Sequence, residues 1–250
     1  MAKEMKIAIF GDSISEGIGS RKINYSKELE KIFLNKKMKL QIYNYAFTGT
    51  MIDYTKKIKE KYEKEKYDVV IIGYGNVDGM LRPDTNSNKN LYKYLPRRYK
   101  KNGMLNPRPY YSKNKWKKLF QKIDSLIRWN LNKILLKVQG STTWITLDRF
   151  YQEYFEFCTF ILNKADKVIL LSTVKVGEKY FPGTNASYIK FNEKIKKMEQ
   201  LNDKIKYLDL YNTLNEKEMF FDDLFHPNQQ GYEFIAKLIY KKIIERNKNE

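Results

Sequence analysis

The sequence predicts a doubly wound α/β fold: a five-stranded parallel sheet with helices on both faces and a basic helical insertion after the third strand. Two observations carry this expectation. Unbroken apolar runs such as Tyr67–Tyr74 (YDVVIIGY) alternate with amphipathic segments, and such runs separated by helices belong to parallel sheets covered on both faces. The rhythm fails between residues 78 and 146, where Pro83, Pro96, Pro107 and Pro109 cluster and no comparable strand is found.

Lys6–Phe10 is a short run with β-branched members that ends in Gly11-Asp12-Ser13, a buried strand feeding a loop. Residues 25–36 place Leu29, Ile32 and Phe33 at helical spacing. Leu40–Phe47 alternates and then meets Thr48-Gly49-Thr50, giving a second strand and its turn. A charged helix is expected over about 51–65, ahead of the third strand at 67–74. Phe150, Tyr154, Phe157 and Ile161 mark an inward-packing helix from 147 to 164, followed by a fourth strand at Lys167–Thr173. A helix at 185–200, a fifth strand at Ile205–Leu210 and an amphipathic helix at Tyr232–Ile244 complete the chain. Residues 1–250 read as a single domain with an insertion at about 79–146.

Composition narrows the function. Cys158 is the single cysteine, which excludes a disulfide framework and a cysteine zinc site and fits a reducing compartment. The apolar run at Ile7–Phe10 is too short for a signal peptide, and nowhere do 18 apolar residues run together. The expected location is the cytoplasm, with the inner membrane face as a place of peripheral contact. The formal net charge is +19. A Lys-, Asn-, Ile- and Tyr-rich composition is what an AT-rich genome produces, but the charge is uneven. Residues 82–137 hold 16 Lys/Arg against Asp84 and Asp124, while the rest of the chain holds 32 against 27.

Inside that segment, Trp116, Leu119, Phe120, Ile123, Leu126, Ile127, Ile134 and Leu135 fall on one helical stripe of residues 113–137, with eight basic residues elsewhere. Two readings stand. Either the stripe packs on the sheet or on a partner subunit, or a basic amphipathic helix lies on an anionic membrane face. Lys113, Lys117, Lys118 and Lys122 are the candidate contacts to an anionic glycan or membrane surface. No helix-turn-helix, zinc-finger or stacking-sheet signature accompanies the charge, so no nucleic-acid partner is expected. The oligomeric state is left open.

Three short words carry the chemistry. Gly11-Asp12-Ser13 follows the first strand, Gly75-Asn76 follows the third, and Asp223 to Asn228 opens the last helix. His226 is the only histidine in the chain. A serine nucleophile needs a base that titrates near neutrality, and histidine is the side chain that does so unperturbed. Asp223, three residues earlier, would orient it, with Asp222 as the alternative acid. A strand order 2-1-3-4-5 would bring Ser13, Gly49 and Asn76 together at the carboxyl edge of the sheet, where open parallel sheets bind ligands. The Ser13 N–H, the Gly49 N–H and the Asn76 amide are then candidate oxyanion donors, with Asp12 as a supporting residue. Taken singly, each of these is ordinary turn or cap chemistry. Their order, with the one histidine placed among them, is what points to a hydrolase. There is no G-x-S-x-G elbow and no phosphate-binding loop, and neither a metal nor a cofactor is expected.

The set resembles the SGNH (GDSL-type) esterase/lipase family. Residues 11–17 (GDSISEG) match its first block, 44–49 (NYAFTG) its second and 223–231 (DLFHPNQQG) its last. The third block departs: members usually show Gly-x-Asn-Asp, whereas residues 73–78 read GYGNVD. The resemblance covers about 5–78 and 165–244. It implies a flavodoxin-like sheet and an acyl-Ser13 intermediate. It also implies a serine esterase acting on an O-acyl group, with O-acetyl on a carbohydrate or polysaccharide precursor as the expected substrate. Two alternatives stay open: an O-acyltransferase acting on a glycan with the same site, and a non-catalytic basic binding module on the same fold.

Overall fold

The computed structural model describes residues 4–18, 23–100, 105, 112, 114–215 and 218–245. In its first half, β1 (Met5–Gly11) leads through α1 (Ser13–Glu16) and α2 (Tyr25–Asn35) to β2 (Leu40–Asn44). Then α3 (Tyr54–Lys57) precedes β3 (Tyr67–Gly73), and α4 (Asn76–Gly79) follows it. Between β3 and the next strand of the large sheet come β4 (Arg82–Pro83), α5 (Arg97–Lys100), α6 (Lys115–Gln139) and β5 (Ser141–Thr142). The parallel sheet resumes with α7 (Leu147–Leu162), β6 (Ala165–Leu171), α8 (Thr184–Lys197), β7 (Ile205–Leu208) and α9 (Gln229–Ile244).

The large sheet has the order β2-β1-β3-β6-β7, all parallel. That is the expected order, since the two short strands β4 and β5 form a separate sheet. Alternation along each strand sorts the core into two layers. Ile7, Ile9, Val69 and Ile71 pack with α2 and α9, while Ala8, Phe10, Val70 and Ile72 pack with α7 and α8. Register decides what meets at the carboxyl edge. Gly11 lies opposite Gly73, so the chain leaves β1 and β3 side by side.

Three expectations change. The helix expected over 51–65 is a single turn, α3, followed by a 3₁₀ turn at Lys59–Lys61. Tyr62 is buried there and its hydroxyl donates to the Thr55 carbonyl, so a side chain takes an acceptor that a continuous helix would use. The second strand stops at Asn44 rather than Phe47, because Asn44 turns the chain: its Oδ1 accepts the Ala46 N–H and its Nδ2 donates to the Ser15 carbonyl.

The largest change concerns α6. Asn114 caps its start by accepting the Lys117 N–H. Of the eight stripe residues, only Leu135 turns inward; the others are exposed, Trp116 at 73% and Phe120 at 68%. The stripe therefore does not pack on the sheet. The buried face carries Ser125, Arg128, Asn132 and Gln139 instead. Gln139 explains why: its Nε2 donates to the Asp84 carbonyl and its Oε1 accepts the Leu91 N–H. The loop under α6 offers backbone polar groups, and these require polar partners once covered. Residues 82–83 and 141–142 then pair antiparallel and clasp the two ends of the segment that carries α6.

Candidate active site

Ser13 owes its position to the abrupt change from β1 to α1. Asp12 is the N-cap, its Oδ1 accepting the Ile14 N–H at 3.0 Å, and Ser13 takes the first helical position. A first-position N–H has no acceptor within its own helix and stays available to a ligand.

Across the edge, residues 219–228 fold into a tight loop before α9. Asn228 caps that helix by accepting the Gly231 N–H at 3.1 Å, and its Nδ2 donates to the Phe220 carbonyl. Gly231 must lack a side chain, because a Cβ there would lie 2.2 Å from the Met219 carbonyl oxygen. The loop presents His226, whose Nε2 is 3.0 Å from Ser13 Oγ. Asp223 Oδ2 lies 2.6 Å from His226 Nδ1, and Asp223 Oδ1 accepts the N–H groups of Phe225 and His226. All three side chains are buried, at 4%, 6% and 1% exposure for Ser13, His226 and Asp223. Between the two acids the contact falls to Asp223, while Asp222 is exposed.

The turn at 47–50 lies over the end of β1. Phe47 N–H donates to the Gly11 carbonyl, and Glu16 accepts from both the Thr48 N–H and its hydroxyl. Gly49 stands at the tip with φ +77, a conformation that favours glycine. Asn76 opens α4, and Gly75 before it has φ +127. The Asn76 Oδ1 accepts the Val174 N–H at 2.9 Å, which fixes the plane of its amide. Tyr188 braces the same residue by donating its hydroxyl to the Asn76 carbonyl at 2.6 Å.

The departure in the third block has a structural counterpart. Asp78, two residues beyond Asn76, accepts the Ile52 N–H at 2.9 Å and the Gly75 N–H at 3.0 Å. Asp78 and Tyr188 were not singled out from sequence. The displaced acid of the altered block was the signal for Asp78, and nothing local marked Tyr188.

Burial sets the electrostatics. Complete burial pushes the Asp12 carboxyl up to about 6, although the Ile14 N–H, the Asn76 amide and His226 pull it down. Burial likewise pushes Asp78 up to about 7, with the Ile52 N–H opposing and the Asp12 charge adding. Cys158, buried in α7, has its thiol pushed up by desolvation and is unsuited to nucleophilic work. Lys117, Lys118 and Lys122 lie exposed on α6, outside the Ser13–His226–Asp223 contacts, and Lys113 lies outside the described residues. Among the described residues no group of three His, Cys, Asp or Glu side chains is placed to hold a metal, and no helix is long and apolar enough to cross a membrane.

Axe2, an acetylxylan esterase from Geobacillus stearothermophilus, superposes with a TM-score of 0.61 at 13% identity, over 98% of this chain and 96% of that one. TesA superposes with a TM-score of 0.58 at 12% identity, over 96% and 98%. At such identities the likeness is one of fold. No curated protein matches the chain in sequence. The sequence profile described as GDSL-like Lipase/Acylhydrolase, however, matches residues 7–239. Because that match takes in both ends of the sheet and every word quoted above, the chain belongs to the GDSL-like lipase/acylhydrolase family of serine ester hydrolases.

Proposed function

We propose that this protein hydrolyses an O-acyl ester, with acetyl as the acyl group, on a carbohydrate or polysaccharide precursor through an acyl-Ser13 intermediate. One observation carries the mechanism: Ser13 Oγ, His226 and Asp223 form an unbroken hydrogen-bonded series in a buried site. The sugar and the acetyl group are drawn from the fold neighbour named as an acetylxylan esterase.

In the first half-reaction Ser13 Oγ attacks the ester carbonyl carbon, and His226 Nε2 takes the hydroxyl proton. Asp223 holds the Nδ1–H and stabilises the imidazolium that forms. Negative charge develops on the carbonyl oxygen, where the N–H groups of Ser13 and Gly49 and the Asn76 amide serve as donors. The tetrahedral adduct collapses, and His226 returns its proton to the departing sugar oxygen. Water then attacks acyl-Ser13 with His226 again as base, giving the carboxylic acid and free Ser13. A sugar hydroxyl in place of water would make the same site an acyltransferase.

The test combines a label with turnover. Purified protein is treated with a fluorophosphonate probe and mapped by mass spectrometry, then given acetylated xylo-oligosaccharides and other acetylated sugars with and without an unacetylated acceptor. A Ser13 adduct and acetate release support the reading. Acetyl transfer to the acceptor without acetate release would replace it with the transferase. Absence of both adduct and turnover would leave a binding module.

A further inference from the structure

α6 is built the wrong way round for a helix on a protein surface. Such helices turn their apolar stripe to the core, yet α6 buries a polar face and exposes Trp116, Phe120, Ile123, Leu126, Ile127 and Ile134, each more than two-fifths accessible. At about 100° per residue these six share an arc of roughly 120°. Ser125, Arg128, Asn132 and Gln139 lie on the opposite side of the helix. One border of the apolar arc is lined by Lys115, Lys122 and Lys133, with Lys137 just inside it, and all four are exposed. The only acid of the helix, Asp124, is already paired with Arg98 and Arg128.

We infer that α6 is a docking surface for an anionic lipid bilayer, lying in the plane of the interface with its stripe in the acyl boundary and its lysines among the headgroups. Charge selects this occupant. A second copy of the chain would bring a like-charged segment, with 16 basic residues against two acids in 82–137, up against this one. An anionic headgroup layer neutralises the same charge. The 25 residues of α6 extend for about 37 Å, room enough for an in-plane helix.

The helix is also tied to the loop behind the histidine. Trp129 donates its indole N–H to the Lys179 carbonyl and meets the Tyr180 ring edge-on at 5.2 Å. Phe181, next in the chain, packs on Phe225 at 5.5 Å, and the Phe225 ring lies 4.4 Å from that of His226. A bilayer bound to α6 would therefore hold the Ser13 site in a fixed relation to the surface.

Co-sedimentation tests the inference without any appeal to catalysis. The protein is mixed with phosphatidylcholine vesicles containing about one third phosphatidylglycerol, and with vesicles of phosphatidylcholine alone, at low and high salt. The expected result is binding to the anionic vesicles, weakened by salt. Phe120→Ser/Ile127→Ser and Lys115→Gln/Lys133→Gln/Lys137→Gln should each lower the partition coefficient at least tenfold. Both sets lie on exposed positions, and unchanged circular dichroism confirms that they fold. Absence of vesicle binding at low salt would overturn the inference. So would undiminished binding by the Phe120→Ser/Ile127→Ser protein, which would mean adsorption by charge alone. A self-association lost in that variant, without vesicle binding, would assign the face to a second copy. Binding to an acidic polysaccharide but to no vesicle would assign it to a glycan.

Discussion

Asp78 accepts the Ile52 N–H at 2.9 Å while its second oxygen accepts the Gly75 N–H at 3.0 Å, so one buried carboxylate ties the segment after Gly49 to the loop that opens on Asn76. Asp78→Ala should leave two buried N–H groups unpaired, each costing about 1–3 kcal/mol. The proposed oxyanion donors on both segments should loosen together, lowering kcat about tenfold with little change in KM. Asp78→Asn keeps one acceptor oxygen and should recover part of both losses. Equal kcat in wild type and Asp78→Ala, measured on an activated acetyl ester, would reduce Asp78 to a structural role.

Ser13→Ala should abolish turnover of the same ester while the thermal midpoint stays within a few degrees of wild type. The hydroxyl meets His226 and carries little packing, whereas loss of a nucleophile costs several orders of magnitude in kcat. Residual activity near the wild-type level would remove Ser13 from the mechanism.

Asn76→Ala should lower kcat by about 10²–10³, the usual cost of one oxyanion donor. Some stability should go with it, because the Val174 N–H loses its acceptor. Steady-state kinetics beside a denaturant titration separate the two effects. A loss under about tenfold in kcat would mean that the amide serves Val174 alone.

Stability should fall as pH rises through the range where Asp12 and Asp78 titrate. Their folded values, about 6 and about 7, stand above the ordinary 3.8, so the native state binds more protons than the unfolded chain between these limits. The stabilisation is complete below about 3.8 and is lost as pH climbs through the folded values, at no more than about 1.4 kcal/mol per pH unit for each proton. The chain has a single histidine, so few other side chains compete in this window. Thermal melts from about pH 5 to pH 8 should show a declining midpoint, flatter in Asp78→Asn. A midpoint that climbs across this range would contradict the assignment.

Much of the architecture was legible because it is written in short stretches. Tyr67–Gly73 is apolar at nearly every position, which a strand buried on both faces requires. The helix expected over 51–65 failed for the opposite reason. Its outcome depends on the Tyr62 hydroxyl meeting a carbonyl seven residues away, a pairing that helical spacing does not encode. The clasp between β4 and β5 joins two-residue strands nearly sixty residues apart, too short to leave any alternation.

The sequence by itself determined the class of sheet, its strand order, the candidate trio Ser13, Asp223 and His226, and the existence of an amphipathic basic helix. Only the tertiary structure decided that Asp223 rather than Asp222 meets the imidazole, that Asp78 links two distant segments, and that the stripe of α6 faces outward. Periodicity reports which residues share a face. The direction in which that face turns is set by what lies beneath it, and under α6 lie the backbone groups of Asp84 and Leu91, which take Gln139 as their partner and send Trp116 and Phe120 to the surface.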